Sequence, residues 1–306
     1  MVYYFCTIIS SDYCSYADSL AASLEELGIE ISLLTLVVGD TDATFRSRHI
    51  VPLKLEEIRD PLCNDLKGKY LDLGLVDEFR WSMKAVLLLH LLQARGLDKV
   101  IFVDPDVAFF SDPACLFYSL EKSQVLLTPH WRCSDPRKDP ANFGILQTNG
   151  LFNAGFVGVS SGAEPALRWW AGVCLYRCEK RPEEGLFVDQ AYLDLMPVYF
   201  EGVDIVRHRG CNVANWNLSE NRREVTTDGQ ILVGGDPLVF IHFTQSTIRG
   251  ILSGEDEKLR PCLEKWTSWA PKGDFLHLVH QAEPSVPRNP GLASRIVRRM
   301  GRVLRL

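Results

Sequence analysis

The chain has 306 residues, 46% hydrophobic and 24% charged, with a net charge of −6. These values describe an ordinary globular protein with one sizeable α/β domain and an appended lobe, and they argue against two independent domains. No apolar run reaches the roughly 18 residues needed to cross a bilayer.

Nine scattered cysteines without a C-x-x-C pair fit reduced thiols in a cytosol, not a disulfide framework or a zinc site. The opening residues, Met1 to Ile9, have no cationic region and no small-residue cleavage site, so they read as a first strand and not as a signal peptide. Residues 288 to 306 contain six arginines and no acid. An acidic body with a basic tail argues against general nucleic-acid binding by the fold itself.

In chain order, Tyr3 to Ile9 predicts a strand. Ser10-Ser11-Asp12 offers an N-cap to a helix that runs to Leu27 and stops at Gly28. Ile31 to Val38 predicts a second strand, so the chain opens with the β-α-β pattern of a parallel sheet. Residues 40 to 78 are mixed, with a short strand near Val51 and one or two short helices. From Asp77 to Arg95 the pattern predicts a helix that is apolar nearly all round and therefore buried, interrupted by Lys84. That lysine either snorkels to water or is aimed at a diphosphate or sugar.

The run Lys99-Val-Ile-Phe-Val103 predicts a buried strand that ends in Asp104-Pro-Asp106, followed by a short apolar run to Phe110. Ligands of open α/β sheets gather at the C-terminal edges of strands. Two carboxylates on one turn there can chelate a hard divalent cation that in turn holds a diphosphate. Pro105 fixes φ and so lowers the entropy lost on binding. The alternative for this pair is a strand-end turn with two solvated acids.

Gln124 to Thr128 predicts another strand, and Pro129 to Asn149 a polar loop with His130, Trp131 and Arg132 at its start, where substrate-binding loops commonly leave a sheet. Residues 151 to 160 form a strand whose glycines suggest close approach of a ligand. A helix follows from Glu164 to Arg177. Phe187 to Leu193 starts another, with Asp189 and Gln190 in its first turn, where the helix dipole favours an acid.

Gly210 to Leu218 is an Asn-rich loop. Arg223 to Val233 predicts a hairpin around Asp228-Gly229, Leu238 to Phe243 a strand that carries His242, and Glu257 to His280 a closing helix. Residues 282 to 291 form a proline-rich linker. Residues 292 to 306 place Leu292, Ile296, Met300, Val303 and Leu304 opposite five arginines, the pattern of a basic amphipathic helix on an anionic membrane surface. The catalytic domain is thus expected over residues 1 to 281.

Five pieces in this order resemble the GT-A nucleotide-sugar glycosyltransferases, and among them family 8, the glycogenin-like and lipooligosaccharide galactosyltransferase-like enzymes. The pieces are the first strand and helix, Asp104-Pro-Asp106, Phe152-Asn-Ala-Gly-Phe156, Asp189-Gln190 and the strand ending at His242. The resemblance covers residues 3 to about 245. It implies a mixed, mostly parallel central sheet flanked by helices, and transfer of a sugar from a UDP-sugar with retention; the basic tail points to a glycan or glycolipid acceptor of surface polysaccharide or lipooligosaccharide synthesis. The scattered thiols and the basic tail together point to a cytoplasmic, membrane-associated enzyme.

By the same resemblance Thr7 lies at the nucleotide, and Asp104, Asp106 and His242 bind Mn2+ or Mg2+. The resemblance also sets Asn153, Ala154 and Gly155 against the donor sugar and Asp189 and Gln190 beside the anomeric carbon as the catalytic pair; Lys84, from its place on the apolar helix, is a further candidate for donor binding. The family's last motif continues after its histidine with glycine and then Lys-Pro-Trp, whereas here it reads His242-Phe-Thr-Gln-Ser-Thr-Ile-Arg249. Arg249 or Lys84 would then supply the phosphate-binding cation. The alternatives are an inactive nucleotide-sugar-binding or scaffold protein of the same fold, and a haloacid-dehalogenase-like phosphatase with Asp104 as nucleophile.

Overall fold

The computed structural model describes residues 2–39 and 43–270. The linker and basic helix expected beyond 281 lie outside the described residues. Strands β1 (Tyr3–Ser10), β2 (Ile31–Val38) and β3 (Ile50–Lys54) pair in parallel, with helix α1 (Cys14–Glu25) crossing from β1 to β2. Helix α2 (Pro61–Lys69) and helix α3 (Val76–Gln93) lead to β4 (Lys99–Val103), which joins β1 in parallel on its other side. The sides of these strands explain their unbroken apolar sequence. Cys6 and Ile8 of β1 pack into one core with α3, while Phe5 and Ile9 pack into a second core with α1. Both faces are dry, so neither side of the strand can be polar.

Beyond Asp104-Pro-Asp106 come β5 (Val107–Phe109), α4 (Ala114–Ser119), β6 (Val125–Pro129), α5 (Pro140–Asn149) and β7 (Phe152–Ser160). β7 runs antiparallel between β4 and β6. This reversal positions the site: β7 enters the sheet at the edge where β4 leaves it, so Asn153, Ala154 and Gly155 arrive beside Asp104. The Asp104 amide donates to the Gly155 carbonyl at 2.9 Å.

Helix α6 (Glu164–Tyr176) covers α3. The short pair β8 (Lys180–Arg181) and β9 (Leu186–Phe187), helix α7 (Met196–Tyr199) and edge strand β10 (Val203–Ile205) follow, the last completing a seven-stranded sheet. The hairpin expected around Asp228-Gly229 is β11 (Arg223–Val225) and β12 (Ile231–Val233), extended by β13 (Asp236–Pro237). Finally β14 (Phe240–His242) pairs antiparallel with β5, and helices α8 (Gln245–Leu252) and α9 (Arg260–Trp269) pack against that pair. No described helix is long and apolar enough to cross a membrane.

Three expected elements differ, and one helix was not expected. The loop from Pro129 to Asn149 contains α5, started by the Asp139 carboxylate accepting from the Asn142 amide at 3.0 Å and by Pro140 in its first turn. None of its residues is buried, so it has no apolar stripe to betray it. The helix expected from Phe187 begins only at Ala191, as a 3-10 turn over Ala191–Leu195. Asp189 therefore does not sit in a helical first turn. The expected helix from Glu257 is a 3-10 turn, Glu257–Leu259, followed by α9, which carries Pro261 in its first turn. Residues 271 to 280 of that expectation lie outside the described residues. The unexpected α8 is capped by Thr244, which accepts from the Thr247 amide at 3.2 Å.

Candidate active site

The turn after β4 closes when the Val107 amide donates to the Asp104 carbonyl at 3.1 Å, with Pro105 at the position where its fixed φ suits the bend. Both carboxylates emerge on the open side of the sheet edge, Asp104 28% and Asp106 25% exposed. The β5–β14 ladder places His242 opposite Val107, and the Phe243 amide donates to the Asp106 carbonyl at 2.8 Å. Its Nε2 thereby reaches Asp106 Oδ1 at 2.9 Å and Asp104 Oδ2 at 3.9 Å. One ligand atom from each of the three residues falls within 4.8 Å of the others. Two carboxylates and an imidazole in this arrangement match the donor set of a hard or borderline divalent cation. Gly155 completes the cradle, since a side chain there would collide with both Asp104 and His242.

Lys84 does not snorkel. It is 4% exposed, and its Nζ lies 3.2 Å from Asp104 Oδ1 and 3.2 Å from Asp189 Oδ2, and donates to the Ala154 carbonyl at 3.0 Å. Burial opposes its charge, but Asp104 and Asp189 outweigh burial and hold its pKa above that of a free lysine. Burial likewise pushes the Asp189 carboxyl up to about 6, only partly offset by Lys84. The Asp106–His242 pair stabilises its own ion pair against burial, Asp106 lowered and His242 raised.

Asp189 is aimed by its backbone. Val188, a β-branched residue, sits in the left-handed region at φ 47°, held by donation from its amide to the Glu179 carbonyl at 2.9 Å. Gln190 has both ends engaged, accepting from the Ala154 amide at 3.2 Å and donating to the Asn149 carbonyl at 2.7 Å. Asn153 accepts from the Gly155 amide at 2.8 Å and meets His130 Nε2 at 3.2 Å. His130 Nδ1 lies 3.2 Å from the Leu151 carbonyl, which fixes a neutral tautomer, and burial and Arg132 push this ring down to about 3.

Two chambers meet at the cluster. One, of about 250 Å³, is bounded by Ile8, Tyr13, Arg80 and the acidic turn. The other, of about 410 Å³, extends past Ala154, Asp189 and Trp216 to Arg132 and Lys180. Trp81, Lys84 and Asp104 line both.

Two expected placements change. Thr7 lies inside β1 opposite Thr35, fully buried, and its neighbour Ile8 lines the chamber instead. A strand carried on to Ser10 pushes its sheet-edge residues further along. Arg249 is exposed on α8 and lines neither chamber, whereas Lys84 lines both.

Several chamber residues, Arg80, Tyr13 and Lys180 among them, escaped the sequence argument. Arg80 precedes Lys84 by one helical turn, so the 3.6-residue period alone would have placed it on the same side of α3. Tyr13, whose ring lies 4.9 Å from the Arg80 guanidinium, gave no signal.

Trp216 reaches the site through the Asn-rich loop. Its ring stands edge-on to His242 at 5.4 Å and to His130 at 5.3 Å. That loop is braced by buried Arg223, which donates to the Ala214 carbonyl at 2.8 Å, to Asn217 Oδ1 at 2.7 Å and to Asp256 at 3.2 Å. Replacing Arg223 by Leu strands Asp256 and several carbonyls. It is expected to cost about 3–5 kcal/mol, read as a lower midpoint in thermal denaturation.

Sheet order, the antiparallel β7 and the acidic turn capped by a late-strand histidine together define the GT-A glycosyltransferase fold. Within it, the chain resembles the family 8 structures. The galactosyltransferase LgtC, solved in complex with donor and acceptor sugar analogues, superposes with a TM-score of 0.51 at 15% identity, covering 94% of this chain and 98% of LgtC. Mouse xyloside xylosyltransferase 1 superposes with a TM-score of 0.50 at 12% identity, covering 81% of this chain and 99% of that one.

Two relatives from Bacillus subtilis (strain 168) are similar in sequence. Uncharacterized protein YfnF is 29% identical over 245 residues, covering 78% of this chain and 80% of its own length. Uncharacterized protein YfnD is 29% identical over 256 residues, covering 80% and 78%. No family model matches the chain. The fold also sets aside the phosphatase alternative, in which the acidic turn follows the first strand; here it follows the fourth.

Proposed function

We propose that the protein is a divalent-metal-dependent glycosyltransferase. It moves a hexose or N-acetylhexosamine from a UDP-sugar, with retention of configuration, to a glycan or glycolipid acceptor of surface polysaccharide or lipooligosaccharide synthesis. The observation that carries this reading is the convergence of Asp104, Asp106 and His242 at the seam between two chambers of different chemistry. The chamber at Tyr13 and Arg80 offers an aromatic ring and a cation to a nucleotide. The chamber at Ala154, Asp189 and Trp216 offers hydrogen-bonding groups and an indole face to sugars.

Asp104, Asp106 and His242 would hold Mn2+ or Mg2+, which when bound neutralises charge developing on the departing diphosphate. Lys84 adds a second positive charge at the same seam, fixed by three partners before substrate arrives and so needing no reorganisation. Asp189, 3.2 Å from the Lys84 Nζ, and Gln190 would stand beside the anomeric carbon as the catalytic pair, and Asn153, Ala154 and Gly155 would present the wall against which the donor sugar rests. Gln190 holds that wall in place. Among the described residues, the acids of the cleft are each engaged: Asp104 and Asp189 by Lys84, Asp106 by His242, Asp77 by Arg80. In a retaining transfer the leaving phosphate itself would take the acceptor proton, so no separate protein base is required. The basic segment 292–306 would draw the enzyme to an anionic membrane surface on the cytoplasmic side.

The test is calorimetric binding of UDP, GDP and dTDP, each with and without Mn2+, to the protein and to Asp106→Ala. Metal-dependent UDP binding that disappears in the variant is the expected result. Absence of nucleotide binding under every condition would refute the transferase reading.

A further inference from the structure

The sugar chamber carries more positive charge than its acids balance. Lys84 is matched by Asp104 and Asp189. Arg132, on the same chamber wall, has no acid paired with it among the described residues, and its Nε is buried without a hydrogen-bond partner. Burial alone pushes this guanidinium down to about 10, with no carboxylate opposing the shift. A cation held this way is costly unless an anion arrives to meet it.

The residue is also positioned and not merely left over. It follows Trp131, whose backbone is in the left-handed region at φ 50° and whose ring is covered by the Arg209 guanidinium at 3.4 Å. Its own guanidinium lies 6.0 Å from the Trp216 ring, the ring that also touches His242 at 5.4 Å. One indole thus separates Arg132 from the metal-binding cluster. Lys180, a further cation on this chamber, lies 5.4 Å from the Phe187 ring, with no acid paired to it among the described residues. An acidic patch would repel an anionic glycan here; this wall attracts one.

We propose that the acceptor is an anionic glycan, bearing a carboxylate or phosphate that Arg132 binds beside Trp216. This rests on the glycosyltransferase reading and narrows its acceptor class. The planar guanidinium suits either oxyanion, both of which it can grip with two parallel N–H bonds.

The test uses the full chain and two matched pairs of probes, methyl β-D-glucuronide against methyl β-D-glucoside and glucose 6-phosphate against glucose. Binding is followed by NMR titration with and without UDP and Mn2+. The anionic member of at least one pair is expected to bind roughly 10-fold or more tightly, and the responding pair names the group. Arg132→Gln should erase that preference while leaving the affinity for the neutral sugars in place, and Arg132→Lys should retain part of it.

Equal affinities within both pairs for the wild-type chain would overturn the proposal. So would an Arg132→Gln variant that keeps the preference, or one that instead weakens UDP binding, which would assign the guanidinium to the donor diphosphate. Failure of UDP to bind at all would overturn the transferase reading separately, since the titrations without nucleotide still report the sugar preference.

Discussion

Gly155→Ala is expected to lower the Mn2+-dependent affinity for UDP by roughly 10- to 100-fold while the chain remains folded. A Cβ at this position would stand 2.5 Å from His242 Cε1, 2.6 Å from Asn153 Oδ1 and 2.8 Å from Asp104 Oδ2. All three are closer than real side-chain carbons approach, and all three atoms belong to the candidate site. The Gly155 carbonyl also accepts from the Asp104 amide, so β7 cannot retreat without drawing the acidic turn with it. The side chains must yield, and the two candidate ligands, Asp104 and His242, move apart.

Overpacking of this kind costs about 1–3 kcal/mol in stability, which a domain of this size survives. Calorimetry with Mn2+ and UDP, beside a far-ultraviolet circular dichroism spectrum, separates the two effects. A folded variant with unchanged metal-dependent affinity would show that Asp104 and His242 do not act together as ligands.

Lys84→Met should be the most destabilising single change in the site. It leaves the buried Asp189 and the nearby Asp104 facing one another without the cation between them, and it orphans the Ala154 carbonyl. Breaking a buried pair from one side costs about 3–5 kcal/mol, or a fall in Tm of about 10 °C. The sign of its pH dependence follows from Asp189, already raised to about 6 by burial with the lysine in place. Without the lysine it rises further.

A carboxyl whose folded pKa exceeds its unfolded value binds its proton more tightly in the folded state. It therefore weakens folding at high pH, and stability recovers as pH falls through the folded pKa. The Tm gap between the variant and the wild-type chain should thus be widest at pH 8 and narrow toward pH 5. A gap that is absent at pH 8, or that grows on acidification, would contradict the buried triad.

Much of the site was legible before any fold was known, because strand periodicity and the chemistry of two adjacent acids are local properties. Lys99 to Val103 read as a doubly buried strand, and β4 is that strand, with Asp104 at its end. His242 was legible as a ligand through the family resemblance alone, since a lone imidazole at a strand end carries no instruction about its partner. The 3-10 turn after Asp189 was not legible: Val188 in the left-handed region is a conformation that a β-branched residue adopts only under tertiary restraint.

The sequence by itself determined the opening β-α-β unit, the acidic turn and the buried character of α3, because each follows from hydrophobic period and from turn chemistry within a few residues. Only the tertiary structure decided what these residues face. The reversal of β7 set Gly155 against Asp104, the β5–β14 ladder carried His242 across about 135 residues of chain to Asp106, and the bracing of the Asn-rich loop by Arg223 delivered Trp216 to the chamber it shares with Arg132. Such contacts are fixed by long-range pairing and by the cost of burying unmatched charge, and neither is written in any local stretch of sequence.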